Sequence, residues 1–318
     1  MICWGRTSKG KTRWRCKNCK LTEVRKRKDT INRNIYRLFK RWVLEMVPIK
    51  NISKVKKISK RTLIRKFELC WKVKVPILFP ALKTDPVLII DGTAISKDCI
   101  VLIVYDAVSK QPLNWSFTGR ESYFSWHSLL SEIKKKTDVK AIVSDGQKGL
   151  KKAVNELFPH SCHQRCMTHV IRLSLAWLTK NPRTEAGVNL RKIVRLLSKV
   201  KTEENAIVWK KLFQYWNLKY QPFLKEKSVN FFGGNDWYTH RKLRAVNSLI
   251  SGAVNNLFFY LDDATIPNTT NFVEGGINSP LSELIRRHRG LSAEKKKALV
   301  SLFLTARQNK KSPTLFVT

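Results

Sequence analysis

Four short apolar runs constrain the fold of this chain more than anything else in it. PVLIID (86–91), CIVLIVYDAV (99–108), PLNWSFT (112–118) and VKAIVSD (139–145) are bounded by polar turn residues, and each has the length of a strand rather than a helix. Between the third and fourth lies SYFSWHSLLSEIKKK (122–136), with Phe124, Leu129 and Ile133 at roughly helical spacing, and GLKKAVNELF (149–158) follows the fourth. Three strands, a helix, a strand and a helix predict an α/β sheet that begins as an antiparallel meander. Residues 170–265 read as almost wholly helical, with Trp177, Trp209 and Trp216 among Leu and Ile at helical spacing. A loop containing Pro267 and a last helix near 272–288 follow, and QNKKSPTLFVT reads as a frayed tail.

Two of the apolar runs end in an acid. With 62 Lys and Arg against 23 Asp and Glu, a carboxylate that closes an apolar strand is costly unless a cation stands beside it. Asp91 closes the first run and is followed by Gly-Thr; Asp145 closes the fourth and is followed by Gly-Gln-Lys-Gly. Glu274, in TTNFVEGGIN, begins the last helical stretch. Any one of the three reads by itself as a turn residue or an N-cap. Three carboxylates on one face can hold two Mg²⁺ ions, or Mn²⁺ in their place, about 3.5–4 Å apart, the arrangement that serves in-line displacement at phosphorus.

The charge balance names the partner. A formal net charge of +39 predicts a polyanion held through many phosphate contacts, and residues 1–66 alone hold 23 Lys and Arg against 3 Asp and Glu. Double-stranded DNA fits that excess. No uninterrupted apolar stretch reaches about 18 residues, and Arg6, Lys9 and Lys11 break any signal-like start, which predicts a cytoplasmic, nucleoid-associated protein with no membrane partner. Seven cysteines, an odd number with two close pairs, suit metal binding or plain thiols better than disulfides.

Within the basic segment, RTSKGKTRWRCKNCK couples a C-x2-C knuckle, Cys16 and Cys19, to Arg13 and Arg15 on a basic, aromatic strand. A closed zinc site needs four ligands, so this is an incomplete zinc site, a partial ribbon whose first knuckle is lost or lies upstream. Two free thiols in a basic loop are the plainer alternative. Further on, RNIYRLFKRWVLE (33–45) has helical spacing, and ISKVKKISKRTLIRKFELCW (52–71) reads as helix, turn and helix with Ser59 as the N-cap. Lys60, Arg61, Thr62 and Arg65 are then what a recognition helix would present to a major groove, against the plainer reading of a solvated basic helix. Late in the chain, WYTHRKLR supplies Trp237, Arg241 and Arg244, and Arg286, Arg287 and Arg289 follow Glu274; both clusters suit phosphate contact and base stacking, or a solvated face.

The segments GKTRWRCKNC, SKRTLIRKFELCW, LIIDGTAI, ESYFSWHSLL, VSDGQKG, HQRCMTHV, KNPRTEAG, WYTHRKLR and TTNFVEGGINSPLSELIRRHRGLS run nearly end to end. On them the chain resembles the bacterial insertion-sequence transposases related to the eukaryotic mutator elements, in the variant with an N-terminal zinc ribbon. That resemblance implies an RNase H-like α/β core with Asp91, Asp145 and Glu274 as metal ligands, interrupted by an all-helical insertion. It also implies a C-x2-H pair after the second aspartate, which falls on Cys166 and His169. With Arg165 these read as hydrogen-bonding support for the active site; a zinc site completed by His160, Cys162 and His163, plain packing, or a nucleophilic pair are the alternatives.

The resulting division is a partial zinc ribbon at 1–30, a helix-turn-helix region at 31–80, and the first part of the core at 84–170. A helical insertion at 171–265, the closing helix at 266–305 and a tail at 306–318 complete it. The expected activity is Mg²⁺-dependent cleavage and strand transfer at terminal inverted repeats and target DNA, by a homodimer or larger assembly. A non-catalytic DNA-binding protein from a decayed element, or a structure-specific nuclease on the same core, are the rival readings.

Overall fold

A small sheet that buries almost nothing opens the chain. Strands β1 (Ile2–Arg6), β2 (Thr12–Arg15) and β3 (Thr22–Val24) pair antiparallel in that order, and none of their residues is fully buried. The computed structural model describes residues 1–308 apart from 9, 25–27, 74–76, 78, 83 and 230–235, with the backbone alone at 28–32. It divides into two units, Met1–Lys74 and Val75–Thr318. The tail expected beyond residue 308 lies outside the described residues.

In the first unit, α1 (Lys28–Val43), α2 (Ile49–Lys56) and α3 (Lys60–Trp71) gather around Phe39, which meets the rings of Phe67 and Trp71 at 5.6 and 4.7 Å. Lys57 leaves α2 in the left-handed conformation, and Ser59 starts α3 by accepting from the Thr62 amide at 3.2 Å, as its sequence position predicts. Leu63, Phe67 and Cys70 face inward, which turns Lys60, Arg61 and Arg65 outward.

The second unit is built on a five-stranded sheet: β4 (Val87–Ser96), β5 (Cys99–Asp106), β6 (Gln111–Thr118), β7 (Ala141–Ser144) and β8 (Cys162–Arg165). In space the order is β6-β5-β4-β7-β8; β4, β5 and β6 form the expected antiparallel meander, and β7 and β8 run parallel to β4. Helices α4 (Tyr123–Lys134) and α5 (Lys148–Leu157) cross between the parallel strands, and Trp126, Leu130, Ile133 and Leu150 bury Leu88, Ile90, Leu102 and Val104. Phe124, read as part of that apolar face, is instead 79% exposed, because it sits beside the Trp126–Leu130–Ile133 stripe rather than on it.

Two strand boundaries differ from the sequence reading. Strand β4 does not stop at Asp91 but continues to Ser96, because Gly92–Ala94 keep pairing with β5 after the partnership with β7 has ended. Strand β8 has no signature in the sequence, since CHQR has no apolar alternation. Its buried polar residues are held by hydrogen bonds instead: His163 Nε2 lies 2.8 Å from Ser144 Oγ, and Gln164 Nε2 donates to the Leu257 carbonyl at 2.9 Å.

From the end of β8 the chain enters α6 (Met167–Leu178), α7 (Glu185–Leu196) and α8 (Glu203–Lys225), then the short ribbon β9 (Lys227–Ser228) and β10 (Trp237–Tyr238), then α9 (Arg241–Ser251) and α10 (Phe259–Asp262). The ribbon corrects the expectation of an all-helical insertion: Lys227 and Tyr238 pair across it where α8 has already ended. Trp209 and Trp216 are buried and donate their indole N–H to the Ile193 and Ala186 carbonyls at 2.8 and 2.9 Å, fastening α8 to α7. Trp177 is only half-buried.

The chain returns to the sheet through α11 (Asn271–Val273), a π-helical turn (Glu274–Asn278) and α12 (Ser279–Arg287), and ends in α13 (Ala293–Gln308). α13 covers the face of the meander opposite α4, with Trp115 Nε1 donating to Ser301 Oγ at 3.3 Å and Gln308 Nε2 to the Pro112 carbonyl at 2.9 Å. The helix therefore runs past residue 306, where a tail was expected, because its last turn is tied to β6. No helix among the described residues is long and apolar enough to cross a membrane.

One buried acid in the sheet is structural. Asp106, 2% exposed at the end of β5, accepts from the amides of Val87, Val108 and Ser109 at 3.1, 3.2 and 2.8 Å, fixing the start of β4 to the turn after β5. Asp106→Ala strands those three donors and is expected to destabilise the protein by about 2–4 kcal/mol, with Asp106→Asn losing less because one oxygen still accepts. Urea denaturation followed by circular dichroism measures the difference.

Candidate active site

The last rung shared by β4 and β7 pairs Ile90 with Ser144, so the next residue on each strand is an acid, Asp91 and Asp145. In a parallel pair, successive rungs alternate faces together, which sends both carboxylates to one side, at the point where β7 stops and β4 goes on. Asp145 Oδ1 accepts from the Gln147 amide at 2.9 Å, an Asx turn that leads into α5. Between them Gly146 has φ +71°, and the Arg165 guanidinium fills the space a Cβ would take, so only glycine fits. Ser144 Oγ accepts from the Gly146 amide at 3.1 Å while facing His163. Burial, then the charges of Arg165 and Lys151, push His163 down to about 4, so it is neutral at neutral pH.

Glu274 reaches the same place from the far end of the unit. The π-helical turn is wider than an α turn and sets residues four apart nearly in line, so Glu274 and Asn278 face the sheet together. Asn278 Nδ2 donates to Asp91 Oδ2 at 2.6 Å. The Glu274 carboxylate accepts from Arg172 Nη2 at 3.0 Å and Thr270 Oγ1 at 3.3 Å, with His169 Nε2 at 3.8 Å. Cys166, buried at the start of α6, accepts from the Thr270 amide at 3.3 Å, and Thr270 Oγ1 lies 3.5 Å from His169 Nδ1. Burial alone would raise the Cys166 thiol, but hydrogen bonds from His169 and Thr270 outweigh it and hold the thiol below its ordinary value. Cys166 and His169 thus belong to the network behind Glu274, joined to it through Thr270.

These acids act on one another. Burial first, opposed by His169 and the Asn278 hydrogen bond, and then the charges of Asp145 and Glu274, raise Asp91 from 3.8 to about 6. A fourth carboxylate joins them. Burial, then the charges of Asp145 and Asp91, raise Glu121 as well, and this residue carried no signal of its own in the sequence beyond preceding the α4 cap Ser122. Asn278, Thr270 and Arg172 were likewise unassigned; Asn278 alone had a readable cue, being the polar residue four positions after Glu274.

All the carboxylate donors here are oxygen, the type that hard divalent cations take. Among the described residues no three His, Cys, Asp or Glu side chains stand close enough to grip one ion as placed, and Glu274 is engaged by Arg172. An open cleft of about 440 Å³ lies beside Glu274, lined by Asn278, Ser279, Ser282, Glu283 and Arg286.

The remaining residues singled out by sequence fall elsewhere. Trp237 and Arg241 are exposed, whereas Arg244 donates to the Leu224 carbonyl at 2.8 Å and covers the Tyr238 ring at 3.4 Å, a structural engagement. Arg286 and Arg287 both pair with Glu283, and Arg289 is exposed beyond α12. In the first unit Arg13 is exposed, and Arg15 lies 4.3 Å over the Trp4 ring while donating to the Lys20 carbonyl. The Cys16–Cys19 turn is closed by the Cys16 amide on the Leu21 carbonyl at 2.9 Å, and hydrogen bonds from the Cys19 and Asn18 backbone hold the Cys16 thiol below its ordinary value.

A profile of the family described as "Transposase, Mutator family" matches residues 33–231, a stretch that includes Asp91, Glu121 and Asp145 and stops before Glu274. The transposase for insertion sequence element IS905 of Lactococcus lactis is 27% identical over 150 residues, 44% of this chain and 38% of that protein. The transposase for insertion sequence element ISRM3 of Rhizobium meliloti is 27% identical over 206 residues, 60% of this chain and 49% of that protein. The matched stretch therefore spans less than half the length of either relative.

The raised Asp91 predicts a stability effect with a definite sign. Because its folded value, about 6, lies above the ordinary 3.8, the stability it supplies is complete below 3.8 and is lost as pH rises through 6. Without divalent cations, Asp91→Asn is expected to raise the melting temperature at pH 7.5, by an amount equivalent to at most about 3 kcal/mol, and to have little effect near pH 3.5. Asn278 can accommodate the change, since its Oδ1 is buried without a partner and can turn to accept. Thermal unfolding at the two pH values decides it; a lower melting temperature at pH 7.5 contradicts the repulsion.

Proposed function

The chain belongs to the Mutator family of transposases, and from that premise we propose that it cuts and joins DNA by DDE chemistry, with Asp91, Asp145 and Glu274 as the acids. The observation that carries this reading is the rung beyond Ile90 and Ser144: two acids leave adjacent strands together, and the helix bearing the third is bonded to the first through Asn278. The strand order β6-β5-β4-β7-β8, with the first three antiparallel and the last two parallel to the centre, supports an RNase H-like core. The oxygen-only donor set and the raised Asp91 support a cation requirement, here assigned to Mg²⁺ with Mn²⁺ as a substitute.

Two bound ions would activate a water or a DNA 3′-hydroxyl for attack at phosphorus and stabilise the leaving oxygen. The chain's own residues prepare that chemistry. Asp91 and Asp145 are held by strand pairing and an Asx turn, which fixes their spacing before any ligand arrives. Glu274 completes the set by rotating away from Arg172, and the freed guanidinium then faces the site as a phosphate partner. His169, Thr270 and Cys166 hold the segment around Glu274 in register with α6.

DNA recognition falls to the first unit in this reading. The capped turn between α2 and α3 supports a helix-turn-helix, with Lys60, Arg61 and Arg65 presented to the terminal inverted repeats. Cys16 and Cys19 supply half of a zinc site. Two element ends have to be held at once for joining to a target, which calls for a dimer or larger assembly in the cytoplasm.

The test is cleavage of end-containing DNA by the full chain with Mg²⁺. Asp91→Ala, Asp145→Ala and Glu274→Ala are each expected to lower cleavage by about 10³-fold or more while DNA affinity stays within about threefold. Alanine variants that cut like the parent would sink the assignment. A second measurement concerns the first unit: Arg61→Ala with Arg65→Ala is expected to weaken DNA binding by about tenfold or more and to lower the salt slope by about 2. Unchanged affinity and slope would remove α3 from the interface.

A further inference from the structure

We propose that the exposed face of α8 joins two copies of this chain, helix against helix and antiparallel. The proposal rests on the reading that joining DNA ends takes two copies, and it names the surface through which they meet.

The first observation is a helix with two faces. α8 runs for 23 residues, about 35 Å, and buries Trp209, Phe213, Trp216 and Tyr220 in the core of the insertion. On the opposite face stand Glu204, Val208, Lys211, Tyr215 and Leu218, spaced four, three, four and three residues apart, the repeat by which one helix packs along another. Tyr215 and Leu218 are each 67% exposed and Val208 56%, with Ile207 and Leu212 exposed on the flanks. Five large apolar side chains gathered on one exposed helix face mark a contact surface. That surface is held in shape from behind, because Trp209 and Trp216, the residues after Val208 and Tyr215, donate to carbonyls of α7.

The second observation is charge, which argues against DNA as the occupant. The chain as a whole carries +39, yet this stripe holds one acid and one base, Glu204 and Lys211. A phosphate backbone gains nothing from a neutral, apolar face.

The third is that the stripe complements itself. In a two-fold pair, a residue that meets a second on the partner is met in turn by its own copy of that second residue. Antiparallel packing centred on the level of Phe213 sets Val208 against the partner's Leu218, and Lys211 over the ring of the partner's Tyr215, each contact occurring twice. The acidic first turn, Glu203 and Glu204, then lies along the partner's last turns, which hold Lys219 and Lys225. Parallel packing sets acid against acid and base against base, so the charges select the antiparallel direction.

The experiment measures the mass of the full-length protein at micromolar concentration by sedimentation equilibrium, without DNA or metal. A dimer is expected. Val208→Glu and Leu218→Lys, each alone, are expected to weaken it by about 100-fold or more, because each leaves two unpaired charges in the contact. Mixed together, the two variants are expected to form a dimer again: the substituted positions then meet with opposite charge, and the second Val208–Leu218 contact is intact. Circular dichroism spectra like the parent's confirm that each variant is folded. A monomeric parent overturns the proposal, and one whose DNA affinity falls with Val208→Glu assigns the face to DNA. Variants that dimerise like the parent overturn it as well, and variants that stay monomeric when mixed overturn the antiparallel pairing. Asp91→Ala is expected to dimerise like the parent, so failure of the catalytic assignment and failure of this interface are read separately.

Discussion

Like charges gathered at one spot on a sheet set the terms for the rest of the second unit. Asp91 and Asp145 directly follow the last rung shared by neighbouring strands, Glu274 acts on Asp91 from a helix, and Glu121 acts on both acids from a loop. Each carboxylate makes the next harder to ionise, and burial adds to the effect. A fold that keeps such a cluster without a cation gives up stability, which is tolerated where the strain serves chemistry. The surrounding construction is consistent with that. The sheet on which the cluster stands is buried on both faces, and its one fully buried acid, Asp106, is removed from the cluster and satisfied by three amides.

The helical insertion matters to the site through its two ends rather than its bulk. α6 begins where β8 stops, so Cys166 belongs at once to the helix cap and to the wall behind Glu274. The Met167 amide donates to the Asn268 carbonyl at 2.9 Å, which closes the insertion's entry onto its exit. About a hundred residues thus leave and return at nearly the same point, and Glu274 follows the return by only a few residues. The aromatic core of the insertion, with Trp209 and Trp216 fastened to α7, gives that closure a rigid body to hang from.

The sequence made the sheet legible where burial is achieved by apolar side chains and failed where hydrogen bonds do the work. PVLIID and CIVLIVYDAV announce β4 and β5, but CHQR buries His163 and Gln164 through Ser144 and Leu257, and no periodicity records that. The acids on β4 and β7 could be picked out because a carboxylate after an apolar run is unusual. Glu121 could not, because its neighbour Gly92 is remote along the chain and adjacent in space. The basic clusters show the converse: Arg244 and Arg15 stand out in sequence as charges alone, and the fold engages each with a carbonyl and an aromatic ring. Charge in a sequence says how many cations there are, not which of them the fold has already used.

The acids also differ in how much freedom the backbone leaves them, and that difference bears on how the site assembles. Asp91 is fixed by pairing with Ile103 and Asp145 by its Asx turn, so neither moves without breaking the sheet or the start of α5. Glu274 opens a π-helical turn that contains Gly275 and Gly276, where a Cβ would meet nothing within 4 Å. A wide turn with two unencumbered glycines has alternative backbone states close in energy, which a strand interior does not. Its present partners, Arg172 and Thr270, are a side chain and a hydroxyl, both exchangeable at the cost of rotating single bonds. The acid with the most backbone freedom is therefore the one farthest along the chain, and the two strand acids are the fixed ones.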